Sequence, residues 1–266
     1  MSETRVTVEI DNEIAIVRLN RPSKVNAFDF QMFQELDATA KKLKSDRTIR
    51  GIILTGAGGN FSSGLDIKSL MTNTQAGIKL LLKVWPGSAN LAQRVSTHWK
   101  TMPVPVIAVI EGKCWGAGMQ VVLGCDFRYA TKDSSLAIME SKWGLLPDMA
   151  GSIGLRQIMP LDQAMKLTLT SDPIDGAKAK ELGLVTEVCD NPLADAKSFL
   201  ESLCEKSPDA MTAIKSHYQK AWHGNWGTQL YRETWYQLKL LMGKNRVQAL
   251  KRQKGGKESK FFPRSF

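Results

Sequence analysis

The chain has 266 residues, 43% of them hydrophobic, and a formal charge of +10. That length supports one large domain with a smaller appendage. It holds no apolar run of bilayer-spanning length, and Met1-Ser2-Glu3-Thr4-Arg5 lacks a signal-peptide pattern, so a soluble cytoplasmic protein is expected.

The first element reads as a hairpin: Val6 to Ile10 alternates, Asp11-Asn12 turns, and Ile14 to Leu19 returns before Arg21-Pro22. A helix is predicted from about Phe30 to Lys44, with Phe33, Leu36, Ala40 and Leu43 on one face. Gly51 to Thr55 is a short buried strand running into the glycine loop 56–59. Val106 to Val109 repeats that pattern and ends at Gly112, after which Gly116-Ala117-Gly118 opens an apolar helix ending near Gly124. Phe127 to Ala130 and Leu136 to Met139 are further strands. Short strands alternating with helices argue for an α/β fold. From about Pro208 the pattern is helical, with helices predicted over 210–222, 231–242 and 246–253, which places a boundary near residue 205: a core over 1–205 and a helical region over 206–266. Lys239 to Phe266 carries nine basic residues and one acidic, so the first 238 residues hold only +2 of the net charge. This basic segment reads as a solvated helix and a frayed tail.

Four cysteines (Cys114, Cys125, Cys189 and Cys204) form no Cys-x-x-Cys pair and have no zinc-like spacing to histidine, so reduced thiols and no metal are expected. Two loops carry candidate chemistry. In Phe61-Ser62-Ser63-Gly64-Leu65-Asp66-Ile67-Lys68, Gly64 allows an unusual backbone angle that lets the next amide face a cleft. In Glu111 to Gln120, small residues again open a helix and put the Ala117 amide at its positive end. Two such amides brought together would bind one oxyanion.

These loops, with their neighbours, resemble the enoyl-CoA hydratase/isomerase (crotonase) superfamily. Asn20-Arg21-Pro22 with Asn26-Ala27 is similar to the family's opening motif, Leu54-Thr55-Gly56 through Ile67 to its first CoA and oxyanion loop, and Gly112 through Gly118 with Gly124-Cys125-Asp126 to its second. Gly144-Leu145-Leu146-Pro147 and Ala177 to Val185 also have counterparts, so the match runs from about residue 5 to 205. The resemblance implies a crotonase-like spiral of ββα units with a C-terminal helical trimerisation region. It implies a homotrimer or hexamer and an acyl-CoA thioester substrate, with coenzyme A as part of that substrate and no separate cofactor. It also implies an oxyanion hole from the Leu65 and Ala117 amides, with Ser63, Gly64, Asp66, Ile67, Lys68 and Gly116 around the substrate and CoA. The family usually has glycine at the position of Ala117, but alanine keeps the amide.

Side chains select the reaction. The family's hydratases split water between two glutamates; the second matches Glu140, but the first falls on Gln120, which exchanges no proton at neutral pH. Its dienoyl-CoA isomerases have carboxylates at the positions of Glu140 and Asp148, a pair that shuttles a proton along a conjugated chain, and an aspartate where this chain has Gln120. Its dehalogenases place a nucleophilic aspartate at the position of Asp148 but lack the glutamate. The expected order is therefore proton-shuttle isomerase, then hydratase, with a dehalogenase or hydrolase a distant third. Glu140 is the expected acid/base, Asp148 its assistant, and Gln120 a group that orients substrate or water. Structural alternatives are a strand-end Glu140 paired with Lys142 or a neighbour, and Asp148 as a turn residue or helix cap after Pro147. A non-catalytic CoA-binding relative stays open because of Gln120. Relatives that bind AU-rich RNA space lysines along the first core helix, whereas Lys41, Lys42 and Lys44 crowd its end here, which argues against nucleic acid as a partner.

Overall fold

The computed structural model describes residues 3–72, 74–256 and 259–266. In chain order the elements are β1 (Val6–Asp11), β2 (Ile14–Leu19), α1 (Phe30–Ser45), β3 (Gly51–Gly56), α2 (Ile67–Met71), α3 (Thr74–Leu81), α4 (Leu91–Lys100), β4 (Val106–Ile110), β5 (Lys113–Trp115), α5 (Ala117–Val122), β6 (Phe127–Ala130) and β7 (Ser135–Ala137). There follow a 3-10 turn (Glu140–Trp143), α6 (Gly151–Ile158), α7 (Leu161–Thr170), β8 (Ile174–Asp175), α8 (Gly176–Glu181), β9 (Glu187–Val188), α9 (Pro192–Cys204), α10 (Pro208–Ala221), α11 (Trp226–Met242) and α12 (Lys244–Gln253).

The main sheet has the order β1-β2-β3-β4-β6-β9; only the β1–β2 hairpin is antiparallel. Its turn is Asn12-Glu13, both in the left-handed region, the twist that a two-residue hairpin requires. A second, small sheet has the order β5-β7-β8. The central strands are apolar throughout because both faces are covered. Ile52, Leu54, Val106, Ala108 and Ile110 join the large core with α1 and α4. The alternate residues Ile53, Ile107 and Val109 pack with Ala196 and Leu200 of α9. Asp29 caps α1, its Oδ1 accepting from Met32 N at 2.8 Å. The parallel-rich sheet with helices on both faces and the helical C-terminal segment are the α/β architecture expected from the sequence.

The chain end departs from expectation, because it is docked rather than frayed. Arg264 is buried and donates to the Lys44 carbonyl at 2.7 Å, the Ile49 carbonyl at 3.2 Å and the Asp46 carbonyl. Asn245 grips Phe262 through both backbone groups, and Ser265 N donates to Asp209 Oδ1 at 2.6 Å. Arg50 and Arg252 flank the Phe261 ring. Charge counting missed this because the contacts use backbone carbonyls and an aromatic ring. Among the described residues, no helix is long and apolar enough to cross a membrane. The four cysteines are free, with Cys114 and Cys125 buried.

Candidate active site

The two glycine loops meet because β3 and β4 are parallel neighbours and deliver both chains at the same sheet end. Beyond the strands the chains stay zipped together: Phe61 N donates to the Glu111 carbonyl, Ser62 N to the Lys113 carbonyl, and Trp115 N to the Ser62 carbonyl, at 2.8–3.0 Å. Asn26 is fully buried and secures the first loop from behind, with Nδ2 donating to the Ala57 and Asn60 carbonyls at 2.8 Å and Oδ1 accepting from Arg21 N at 2.9 Å.

Gly64 (φ +97°) and Gly116 (φ +49°) stand where the chains touch. A Cβ on Gly64 would lie 3.1 Å from the Trp115 carbonyl oxygen and 3.7 Å from the Ala117 nitrogen; one on Gly116 would lie 3.8 Å from the Gly64 Cα. Both the left-handed φ and this approach favour glycine. The Gly64 carbonyl accepts from Phe28 N at 2.8 Å. Since the peptide is trans, the Leu65 N–H points the other way, away from Phe28. Ala117 is the first residue of α5 and has no intrahelical acceptor. Among the described residues, neither amide donates to a protein acceptor. The site therefore holds two unspent donors on loops that touch.

Glu140 follows β7 at the start of the 3-10 turn and is 6% exposed. Its Oε1 would be 3.7 Å from a Cβ on Gly116, so the carboxylate lies against the second loop. Gln120, one turn beyond Ala117 on α5, is 1% exposed and donates through Nε2 to Glu140 Oε1 at 2.5 Å. The Gln120 Oε1 accepts from Met149 N at 2.7 Å. Glu140 Oε2 is buried with no hydrogen-bond partner among the described residues. Burial raises the Glu140 proton affinity above the usual carboxylate range; the Gln120 hydrogen bond opposes this and the Asp148 charge adds to it. Asp148 lies at the surface of the next turn, and the partial loss of solvent around its carboxyl raises its pKa as well.

The structural alternatives hold in part, since Glu140 bonds a neighbouring side chain, Gln120, through one oxygen. Among the described residues Glu140 makes no ion pair with Lys142, and α6 begins at Gly151 after Ala150 with no side-chain cap, so Asp148 does not cap that helix. Gln120 makes one hydrogen bond at each end of its amide within the protein, to Glu140 through Nε2 and to Met149 through Oε1. Asp66 is also committed, with Oδ2 on Arg21 at 2.8 Å and Oδ1 capping Ser69 N at 3.1 Å. Ser63 hangs from Val25 and Lys24 carbonyls; Ile67 is half-buried at the start of α2, and Lys68 is exposed beside it. Ser62 Oγ donates to the Asn26 carbonyl at 2.8 Å and accepts from Gly64 N at 3.1 Å, which makes it a brace for the loop. Sequence reasoning missed Met149, whose contribution is a backbone N–H and so leaves no side-chain signal.

A family model described as Enoyl-CoA hydratase/isomerase matches residues 9–255. The (E)-benzylidenesuccinyl-CoA hydratase of Thauera aromatica is 32% identical over 213 residues, covering 79% of this chain and 80% of that protein. The peroxisomal Delta(3,5)-Delta(2,4)-dienoyl-CoA isomerase of Arabidopsis thaliana is 31% identical over 235 residues, covering 80% and 82%. Among solved structures, an enoyl-CoA hydratase from Mycobacterium tuberculosis superposes with a TM-score of 0.85 at 25% identity, covering 98% of this chain and all of that one. A Thermobifida fusca protein in complex with acetoacetyl-CoA gives 0.77 at 28% identity, covering 90% and 95%. With the touching glycine loops, the buried glutamate and a match over nearly its whole length, the chain belongs to the enoyl-CoA hydratase/isomerase family.

Proposed function

We propose that this protein binds an acyl-CoA thioester with its carbonyl oxygen on the Leu65 and Ala117 amides, and that Glu140 moves a proton to and from the acyl chain. The observation that carries this reading is the Glu140 carboxyl: buried, raised in pKa, fixed at Oε1 and unpartnered at Oε2. Removing a proton beside a thioester carbonyl puts charge on the oxygen, and two preorganised N–H donors stabilise that enolate. Only Oε2 is open to take the proton and give it back.

The favoured reaction is double-bond isomerisation. Gln120 cannot share the splitting of water with Glu140, whereas Asp148 offers a second carboxyl with raised proton affinity. On a conjugated dienoyl thioester, a proton leaves the α carbon to one carboxylate and another is added at the far end of the diene from the second. No atom is gained or lost. Hydration of a 2-enoyl thioester is the second reading, favoured by a relative named as a hydratase at 32% identity. Glu140→Gln tests the common core of both. Turnover of enoyl- and dienoyl-CoA substrates should fall by about 10²-fold or more, while acyl-CoA affinity is largely kept. Parent-level turnover in this variant on every substrate the parent converts would remove Glu140 from the chemistry.

A further inference from the structure

The position at which hydratases of the family carry a glutamate is filled here by an amide that bridges two parts of the protein. Met149 N–H can only donate, so the Gln120 carbonyl oxygen must face it, and the NH2 group must face Glu140. The amide therefore has one orientation. The chain it holds is equally constrained. Ala150 sits in the left-handed region at φ +66°, and a Cβ on Gly151 would come within 3.1 Å of Gln120 Cγ. The turn bearing Asp148 is thus pinned to the same side chain that holds Glu140.

An oxygen that faces an N–H donor at 2.5 Å is an acceptor in both charge states of the carboxyl. When Glu140 is neutral, its proton has to reside on the other oxygen. We infer that Gln120 is a positioning residue that confines the exchangeable proton of Glu140 to Oε2 and holds that oxygen in fixed register with the turn that carries Asp148. The inference rests on the reading of Glu140 as the acid/base and goes beyond it, since it assigns which oxygen works and which hydrogen bond opposes the rise in its proton affinity. It also gives the missing glutamate a physical meaning: with glutamate at 120, two carboxyls would meet at this spacing and one would have to be protonated.

The groups that face Glu140 are few. Asp148 is the charge whose field reaches it. Lys142 on its own turn is exposed, as are Asp162 and Lys166 on α7, which packs against that turn.

The test is a titration of the full chain labelled with 13C at the glutamate carboxyl carbons, in which the Glu140 signal is assigned by its loss in Glu140→Gln. The parent should show one midpoint above the ordinary glutamate value. Gln120→Glu should split the titration into two coupled steps, the upper at least about one pH unit above the parent. Gln120→Met removes the donor without adding charge and should raise the midpoint by less. The order Glu above Met above parent is the expected result. If the folded Gln120→Met protein titrates Glu140 at the parent midpoint, Gln120 is packing alone and the inference is overturned; Gln120→Leu makes the same comparison if Gln120→Met does not fold. The measurement needs no substrate. A parent that converts no acyl-CoA would defeat the proposed function while leaving this result to stand or fall on its own.

Discussion

Glu140 and Asp148 differ in what surrounds them, and that difference sets their expected behaviour. Glu140 has its pKa raised above 4.5 by burial first and by the Asp148 charge, against the Gln120 hydrogen bond. A raised carboxyl pKa means the native state favours the neutral form. The stability this contributes is present below the unfolded value and is lost as pH rises through the folded value. Glu140→Gln mimics the neutral form, so its melting temperature should match or exceed that of the parent at pH 8, with the gap closing toward pH 4. Activity runs the opposite way, because a base must be ionised: the acid limb of kcat/KM should inflect above 4.5 in the parent. A parent inflection at or below that value would contradict a buried base. Asp148, at the surface, has a narrower task. Asp148→Asn should slow isomerisation of a 3,5-dienoyl thioester more than hydration of a 2-enoyl thioester, since only the longer relay uses a carboxyl farther along the chain. Equal losses on both substrates would make Asp148 a general structural aid rather than a relay partner.

At the scale of elements, the packing of α1 on α4 shows both what the sequence makes legible and what it hides. The Phe33, Leu36, Ala40 and Leu43 stripe correctly marks α1, and the apolar runs mark β3 and β4, because burial on two faces leaves an unbroken hydrophobic signature. The strands β5, β8 and β9 have only two or three residues, too few for any period to register. Helix α4 was legible in principle: Asn90 and Gln93 form a capping box at its start, and Trp99 near its end is fully buried. At the site, the glycine loops stand out in sequence and Glu140 does so only through the family resemblance, whereas the Gln120–Met149 bond joins a side chain to a backbone group 29 positions away and has no local pattern. Between α1 and α4, Asp37 meets Arg94 Nε at 2.8 Å, His98 Nε2 at 2.9 Å and Lys41 Nζ at 2.7 Å. Burial works to raise its pKa, but the hydrogen bonds from Arg94, Lys41 and His98 outweigh it and bring the value from 3.8 down to about 2. The stabilisation is therefore present above pH 3.8 and is lost as pH falls through about 2. Asp37→Asn should cost about 2 kcal/mol at neutral pH, and denaturant titrations of the two proteins should converge between pH 4 and 2. A pH-independent gap would place the loss in packing or geometry instead of charge.

For the whole molecule, the surface after residue 205 is the least satisfied part. Helix α11 has no buried residue along its 17 positions, and Trp226 is 83% exposed, with Tyr231, Trp235 and Met242 also open. On a neighbouring face, α6, α9 and α10 border an open groove of about 710 Å³ lined by Ile158, Phe199, Ile214, Tyr218 and Trp222. Contiguous exposed aromatic and aliphatic surface of this kind is characteristic of interaction sites and costs solubility when left open. The segment is nonetheless tied to its own core. Lys215 on α10 reaches the Val104 carbonyl at 2.8 Å and pairs with Asp126 at 2.6 Å, and Arg264 returns to the end of α1. A segment anchored on one side and apolar on the other offers that second side for contact, and in a closed ring each copy would cover the patch of its neighbour. We therefore expect a homotrimer or hexamer in solution, seen as three or six times 29.5 kDa by light scattering at micromolar concentration. Trp226→Glu combined with Trp235→Glu should weaken the assembly and lower its melting temperature, with the loss reduced at higher protein concentration as mass action requires. If the parent runs as a monomer, or the double variant keeps the parental mass and melting temperature at every concentration, the helical segment does not carry the assembly.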